Sequence, residues 1–514
     1  MKRLLPALLM LSAACQANPP AADPALVDSV YPLPRDARPG RTILLYGAPK
    51  APFTVSSHEL PQPDRPGATP PRDALPLRNN LLGDARVRPF GVEERVRVAQ
   101  ADGKLRLTCG AGQRAAGVLI DGPWTLPLAK LRLALDYAAS GAFAIQAADA
   151  PSAARESAHA LGELAAGGRR AVLALPVGLD RALWRQFVIQ CPANAATLTV
   201  AHLALEPAPA FGQAKARASW IWESGAWLDN AEALLAWARR AAVKELFIVV
   251  PLDGARVRAS ARLAAFVKRA QRAGIAVAAV EGDPHMVLPS QRAATVDRAR
   301  AYAAYNRAAP PQARLRAMQF DVEPYLLDDA VLDPAARERE YLAMARALHA
   351  AAAGMALEFV VPFWWGDKGE LLDALAGTAD GLAVMDYRTD PGQIVRFATP
   401  FLDWGTRHGK RVRIALEAGR VAPEVQRRYV RADPGEAGTL LLTGDGAAQS
   451  LVLLRQPLKQ AAGTLYRLSG ERTLDGSATS FHDNRDRLRT LLPGLERDFS
   501  AWSSFDGIAL HGWR

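Results

Sequence analysis

The residues best suited to chemistry in this chain stand at the ends of short apolar runs in its C-terminal part. One run ends Asp321-Val322-Glu323-Pro324-Tyr325, with two carboxylates two residues apart. On a strand that spacing puts both side chains on one face. Carboxylates so close repel when both are ionised, so one pKa rises and a carboxylic acid persists near neutral pH. A glycosidic general acid needs that property. Other runs end in Trp222-Glu223, in Glu281-Gly282-Asp283 with His285 just beyond, in Trp364-Trp365, in Asp386-Tyr387-Arg388, in Glu417 and in His511-Gly512-Trp513. Acids and aromatics collect at the ends, while Val, Ile, Leu, Ala and Phe fill the runs.

These ends must be brought together by the elements that carry them. The runs Ser219–Glu223, Glu245–Val250, Ile275–Val280, Leu315–Glu323, Ala356–Phe363, Gly381–Arg388, Arg411–Glu417 and Phe505–His511 number eight and read as strands. They lack clean polar alternation, as strands of a parallel sheet covered on both faces do. Between them lie amphipathic stretches such as Ala231–Ala242, Ala259–Ala273, Arg292–Ala309, Pro334–Ala353 and Pro391–His408. Strand–helix alternation of this length predicts an α/β chain with a (β/α)8 barrel over residues 215–514, whose active site lies at the C-terminal strand ends. The 87 residues between Glu417 and Phe505 are too many for one helical connection. Strand-like segments inside them predict a β insertion at about 420–480.

Residues 41–210 carry short alternating segments such as Lys104–Thr108 and Leu131–Tyr137, and predict a β-sandwich-like domain. Pro- and Ala-rich residues 16–40 read as a tether. Residues 1–15 read as a secretory signal, with a basic start, an apolar run and small residues before Cys15. The segment resembles a bacterial lipoprotein box, which implies lipidation of Cys15 and, with Gln16 following, an outer-membrane anchor facing the periplasm. Ordinary cleavage giving a free periplasmic protein is the alternative. No other stretch is long and apolar enough to span a bilayer, so the expected membrane contact is the anchor alone. Export permits a disulfide between Cys109 and Cys191; two separate buried thiols are the alternative. The net charge of +11 is spread along the chain without a dense basic block, which argues against a nucleic-acid partner. The histidines show no metal-ligand spacing, and the reading calls for no metal or cofactor. A monomer is expected.

A family resemblance enters at the fourth run. Met318-Gln319-Phe320-Asp321-Val322-Glu323 resembles the end of the fourth-strand motif of glycoside hydrolase family 18, the chitinase family. Val384-Met385-Asp386-Tyr387-Arg388 resembles that family's sixth-strand Met-x-Tyr motif, and Trp513 falls where the family places a Trp after its eighth strand. The resemblance implies Glu323 as acid/base, Asp321 orienting a 2-acetamido group and Tyr387 supporting it. It further implies Trp222, Trp364 and Trp513 stacking on sugar rings. Arg316 and Gln319 stand where the family has two further aspartates. A second resemblance competes. Val322-Glu323-Pro324 is similar to the Asn-Glu-Pro of the largest clan of retaining barrel glycosidases, which implies Glu417 as nucleophile. Both assignments stay open, and both keep Glu323. Glu223, Glu281, His285, Asp386, Arg388 and His511 complete the expected substrate contacts. The function expected is an exported glycoside hydrolase acting on a bacterial polysaccharide, with N-acetylhexosamine among its candidate sugars. A catalytically silent barrel lipoprotein that binds oligo- or polysaccharide in an export or surface assembly is the alternative.

Overall fold

The computed structural model describes residues 24–33, 40–47, 54–55, 77–91, 93–122, 127–149, 158–175, 184–208, 215–327, 331–444 and 449–514. Cys15 lies outside them, so its lipidation is untouched by the structure. The chain divides into two compact units, Met1–Ala68 with Val421–Gly476, and Thr69–Arg420 with Ser477–Arg514.

In the second unit eight parallel strands close into a barrel in sequence order. They are β1 (Arg217–Ile221), β2 (Val243–Ile248), β3 (Ala276–Glu281), β4 (Ala317–Phe320), β5 (Ala356–Pro362), β6 (Gly381–Met385), β7 (Arg411–Glu417) and β8 (Phe505–His511). Helices connect them in turn: α1 (Ala231–Arg240), α2 (Ser260–Arg272), α3 (Arg292–Ala308), α4 (Pro334–Ala352), α5 (Gly369–Leu375), α6 (Pro391–His408) and α7 (Arg485–Phe499). Asn484 caps α7 by accepting from the Arg487 N–H at 3.1 Å. Side chains alternate between the barrel interior and the helical layer. Inside, alanines on six strands leave room for Trp220 and Phe247, stacked with centroids 5.5 Å apart. The Trp220 indole donates to Gln319 Oε1 at 2.7 Å.

At the N-terminal end of the barrel the interior is charged. Arg316 bridges Glu245 and Glu358, the latter at 2.7 Å, and Arg411 joins Glu358 at 3.2 Å. Arg413 reaches Glu245 and Asp506, each at 2.7 Å, and donates to the Ala216 carbonyl at 3.0 Å. Arg316, which stands where the resembled family has an aspartate, belongs to this floor. It precedes β4, so its guanidinium closes the floor, far along the strand from the residues that follow Phe320.

Ahead of the barrel, two five-stranded antiparallel sheets lie in the same unit. One is built on Leu131–Ala139 and Ala196–Pro207, the other on Phe143–Asp149 and Trp184–Gln190. Lys104–Cys109 buries every second residue, Leu105, Leu107 and Cys109. Cys109 and Cys191 are joined by a disulfide that ties one sheet to the other.

The first unit departs from the expected boundaries. Val27–Pro32, inside the expected tether, is a strand, and so is Thr42–Gly47, expected to open the sandwich. Both join the insertion strands Glu424–Arg431, Gly438–Thr443, Ser450–Leu458 and Thr464–Leu474 in one seven-stranded sheet. Thr42–Gly47 pairs antiparallel with Glu424–Arg431 across nearly the whole chain. Alternation marks a strand but says nothing about its partner, and this pairing is non-local. Tyr31, Ile43, Leu45, Tyr429, Leu440 and Tyr466 belong to a core cluster separate from that of the barrel.

Candidate active site

The two-residue step along each strand decides which expected residues meet. Along β4 and beyond it, Ala317, Gln319, Asp321, Glu323 and Tyr325 keep the inward phase; Ala317 and Tyr325 belong to the interior cluster. On β1 the same step leads from Trp220 to Trp222, and on β6 from Met385 to Tyr387. On β7 it leads from Ala415 to Glu417, and on β8 from Ala509 to His511. These residues therefore share the C-terminal mouth of the barrel.

The first group is acidic. Asp321 is pushed up to about 7 by burial, and the Glu323 carboxylate adds to the rise while His511 opposes it. Its Oδ1 is buried with no hydrogen-bond partner among the described residues. Glu323 accepts from the Tyr325 hydroxyl. Burial and the neighbouring Glu323 carboxylate raise the Tyr325 phenol well above its ordinary value, so it remains a donor. Tyr387 is raised by burial and by Glu417, Asp321 and Glu323, and it too stays protonated.

A carboxyl that keeps its proton in the fold to about pH 7, against about 4 in the unfolded chain, makes stability depend on pH. Between those values the folded state holds more protons, so stability falls as pH rises from about 4 to about 7 and then levels. At ~1.4 kcal/mol per unit the three units set a ceiling of ~4 kcal/mol, which water at the mouth reduces to ~1–3. Asp321→Asn should abolish this slope and exceed the wild type in stability at pH 8. Denaturant titrations at pH 4.5 and pH 8 measure it, and an equal slope in both proteins would refute the assignment of the proton to Asp321.

The second group is a relay of hydrogen bonds. His511 Nδ1 lies 2.6 Å from Glu417 Oε2, and the Trp222 indole donates to His511 Nε2 at 3.0 Å. An indole N–H can only donate, so Nε2 accepts and Nδ1 carries the proton that Glu417 receives. Burial pushes Glu417 up, but the hydrogen bond and charge of His511 and the N–H groups of Gly419 and Ala418 outweigh it and hold the carboxyl below its ordinary value. Burial pulls His511 down, yet the Glu417 bond and the nearby Asp321 and Glu323 charges leave it raised. Gly419 donates to Glu417 Oε1 at 2.5 Å. Both oxygens of Glu417 thus accept a hydrogen bond, which suits a carboxylate that orients an imidazole.

Tryptophans stand on opposite walls. β1 and β5 are four places apart either way around the closed ring. Trp222 and Trp364 follow them and are 38% and 44% exposed, unusual for so large an apolar ring. Trp364 rests edge-on against Tyr325, with centroids 5.0 Å apart.

Other expected contacts are placed differently. Glu281 falls on the outward phase, where it accepts from Tyr302 and pairs with Arg298 at 2.6 Å. Asp386 is also outward and fully buried, and burial raises its pKa well above the ordinary value, with Arg388 opposing. Arg388 lies 4.3 Å over the Phe363 ring and donates to the Tyr387 carbonyl at 2.9 Å. Trp513 is 8% exposed beneath Arg485 and Arg489, so its faces are covered. His285 and Glu223 are exposed past the strand ends, His285 with Asp283 at 2.9 Å. Gln319, in one of the positions where the resembled family has aspartates, is committed to Trp220. The residues absent from the expected set are Tyr325, Gly282, Gly419 and Gly512. Tyr325 was discoverable by continuing the two-residue step from Glu323.

No family model matches the chain, and no curated protein matches it. Solved structures give loose likenesses. One is to a carbohydrate binding module of family 29, 12% identical, with a TM-score of 0.20 over 26% of this chain and 85% of that one. Another is to the CBM22-1–GH10 modules of the Clostridium thermocellum xylanase 10B in complex with xylohexaose, 10% identical, with a TM-score of 0.31 over 84% of this chain and 88% of that one. At such scores neither likeness defines a shared fold.

Proposed function

We propose that this chain is an exported glycoside hydrolase of the (β/α)8 type, acting on a bacterial polysaccharide with Glu323 as its general acid/base. The observation that carries the reading is the pair Asp321 and Glu323 at the barrel mouth, one holding a proton to about pH 7 beside the other. Glycosidic bond cleavage needs a proton delivered to the leaving oxygen and stabilisation of a developing positive charge at the sugar. Asp321 can hold and return a proton next to Glu323, and the Tyr325 hydroxyl fixes the Glu323 carboxylate in one orientation. Trp222 and Trp364 supply flat apolar faces on either wall, which suit the axial C–H faces of pyranose rings. Of the two assignments of the second carboxylate we favour Asp321, whose buried Oδ1 has no hydrogen-bond partner among the described residues, while Glu417 is engaged in orienting His511.

The test is hydrolysis of defined oligosaccharides, N-acetylated and not, by wild type and by Glu323→Gln. Shortened products from the wild type alone support the reading. Binding by both without products would favour a silent, polysaccharide-binding barrel instead. Export through a lipid anchor at Cys15 belongs to the same proposal. Radiolabelled palmitate should enter the wild type and not Cys15→Ala, and equal labelling would refute the anchor.

A further inference from the structure

Trp222 is seated at two points. Its indole N–H donates to His511 Nε2 at 3.0 Å. The far edge of its ring lies over Gly282, where a Cβ would come within 3.1 Å of it. The seat on His511 depends on a chain of donors and acceptors. Gly419 and Gly512 approach backbone to backbone, and a Cβ at Gly512 would meet the Gly419 Cα at 2.3 Å. Gly512 also has φ +59°, which glycine adopts without strain. That contact accompanies the Gly419 N–H on one Glu417 oxygen, while the other receives His511 Nδ1–H. The imidazole is thereby left with Nε2 as an acceptor.

We propose that Glu417 and His511 are positioning residues that pin Trp222 at the mouth, and that protonation of His511 at Nε2 releases it, so that sugar binding weakens as pH falls. The gating half rests on the sugar-binding reading above; the pin itself does not. Protonation takes one proton from solvent and turns Nε2 into a donor facing the indole donor, so the bond to Trp222 is lost while that to Glu417 strengthens. The ionisable groups that face His511 are Glu417 from β7, Asp321 and Glu323 beyond β4, and Tyr387 from β6, whose ring stacks on the imidazole with centroids 6.1 Å apart. The carboxylates favour the imidazolium and place the transition above the ordinary histidine value. Glu417→Gln cannot preserve the pin. The site presents three N–H donors to Glu417, from His511, Gly419 and Ala418, and an amide offers one acceptor oxygen and one donor group.

The test follows the Trp222 indole 15N–1H signal of the full chain from pH 5 to 9, assigned by its loss in Trp222→Phe. The wild-type signal should titrate once, with a midpoint above ~6.5, the ordinary histidine value. It should stay flat in His511→Phe and in Glu417→Gln, at a released position in both. A flat wild-type trace overturns the pin, and so does an unchanged titration in His511→Phe. If one variant fails to fold, the other carries the comparison with the wild-type trace. Oligosaccharide affinity of the wild type should follow the same midpoint, falling on the acid side. Affinity that ignores the midpoint overturns the gating. Absence of oligosaccharide binding at every pH, with the indole still titrating, overturns the sugar reading and leaves the pin standing.

Discussion

Glu323→Gln should lower turnover of an unactivated glycoside by roughly 10²–10⁴-fold, the usual worth of a positioned general acid. The amide keeps size and can still accept from the Tyr325 hydroxyl, but it has no proton to give. A substrate with a good leaving group needs less protonation and should lose less. Asp321→Asn should cost rate on every substrate, since it removes the carboxyl that shares the mouth with Glu323 and holds a proton to about pH 7. Steady-state rates on paired activated and unactivated substrates measure both. Wild-type turnover that survives Glu323→Gln unchanged would defeat the assignment. The two variants also separate chemistry from stability: Asp321→Asn is expected to gain stability at pH 8 while losing rate.

Arg413→Met should destabilise the fold by about 3–5 kcal/mol, the typical cost of removing one partner from a buried ionic network. Arg413 is 4% exposed and serves Glu245, Asp506 and the Ala216 carbonyl at once. Its loss leaves Glu245, 3% exposed, with Arg316 alone. The barrel floor carries three arginines, Arg316, Arg411 and Arg413, against three carboxylates, Glu245, Glu358 and Asp506. Charge balance of this kind specifies an arrangement more than it stabilises one, because desolvation offsets much of the attraction. Replacing the pair together, as Arg413→Met with Glu245→Leu, should therefore recover most of the loss. Denaturant midpoints of the three proteins measure this. A single-variant cost below about 1 kcal/mol would show that the floor is wetter than its exposure implies.

The strands of the barrel were legible because burial on both faces forces apolar runs, and helical stretches between them force parallel pairing. The carboxylates were legible for a related reason: an acid at the end of an apolar run has few places to go but the rim of a barrel. The sandwich strands showed in simple alternation, as in Lys104–Cys109. The strand at Val27–Pro32 was missed because it lies in a Pro- and Ala-rich stretch and pairs with Ser450–Leu458 far along the chain. No local signal encodes a partner at that distance, and the same is true of the Thr42–Gly47 pairing.

Within the site, residue type by itself determined that acids and aromatics would gather at one end of the barrel. Phase along the strand then separates Asp321, Glu323, Tyr387, Glu417 and His511, which turn inward, from Glu281 and Asp386, which turn out. That phase was in the sequence too, as a two-residue step from the small interior residues. What only the tertiary structure decided is who holds whom. Glu417 accepts from His511 and from the Gly419 N–H, groups 94 and two residues away. Trp513 disappeared beneath two arginines of α7, and Trp222 found its acceptor on the last strand. Hydrogen-bond partners and covered faces are set by where strands meet in the closed ring, and a linear chain does not state that geometry.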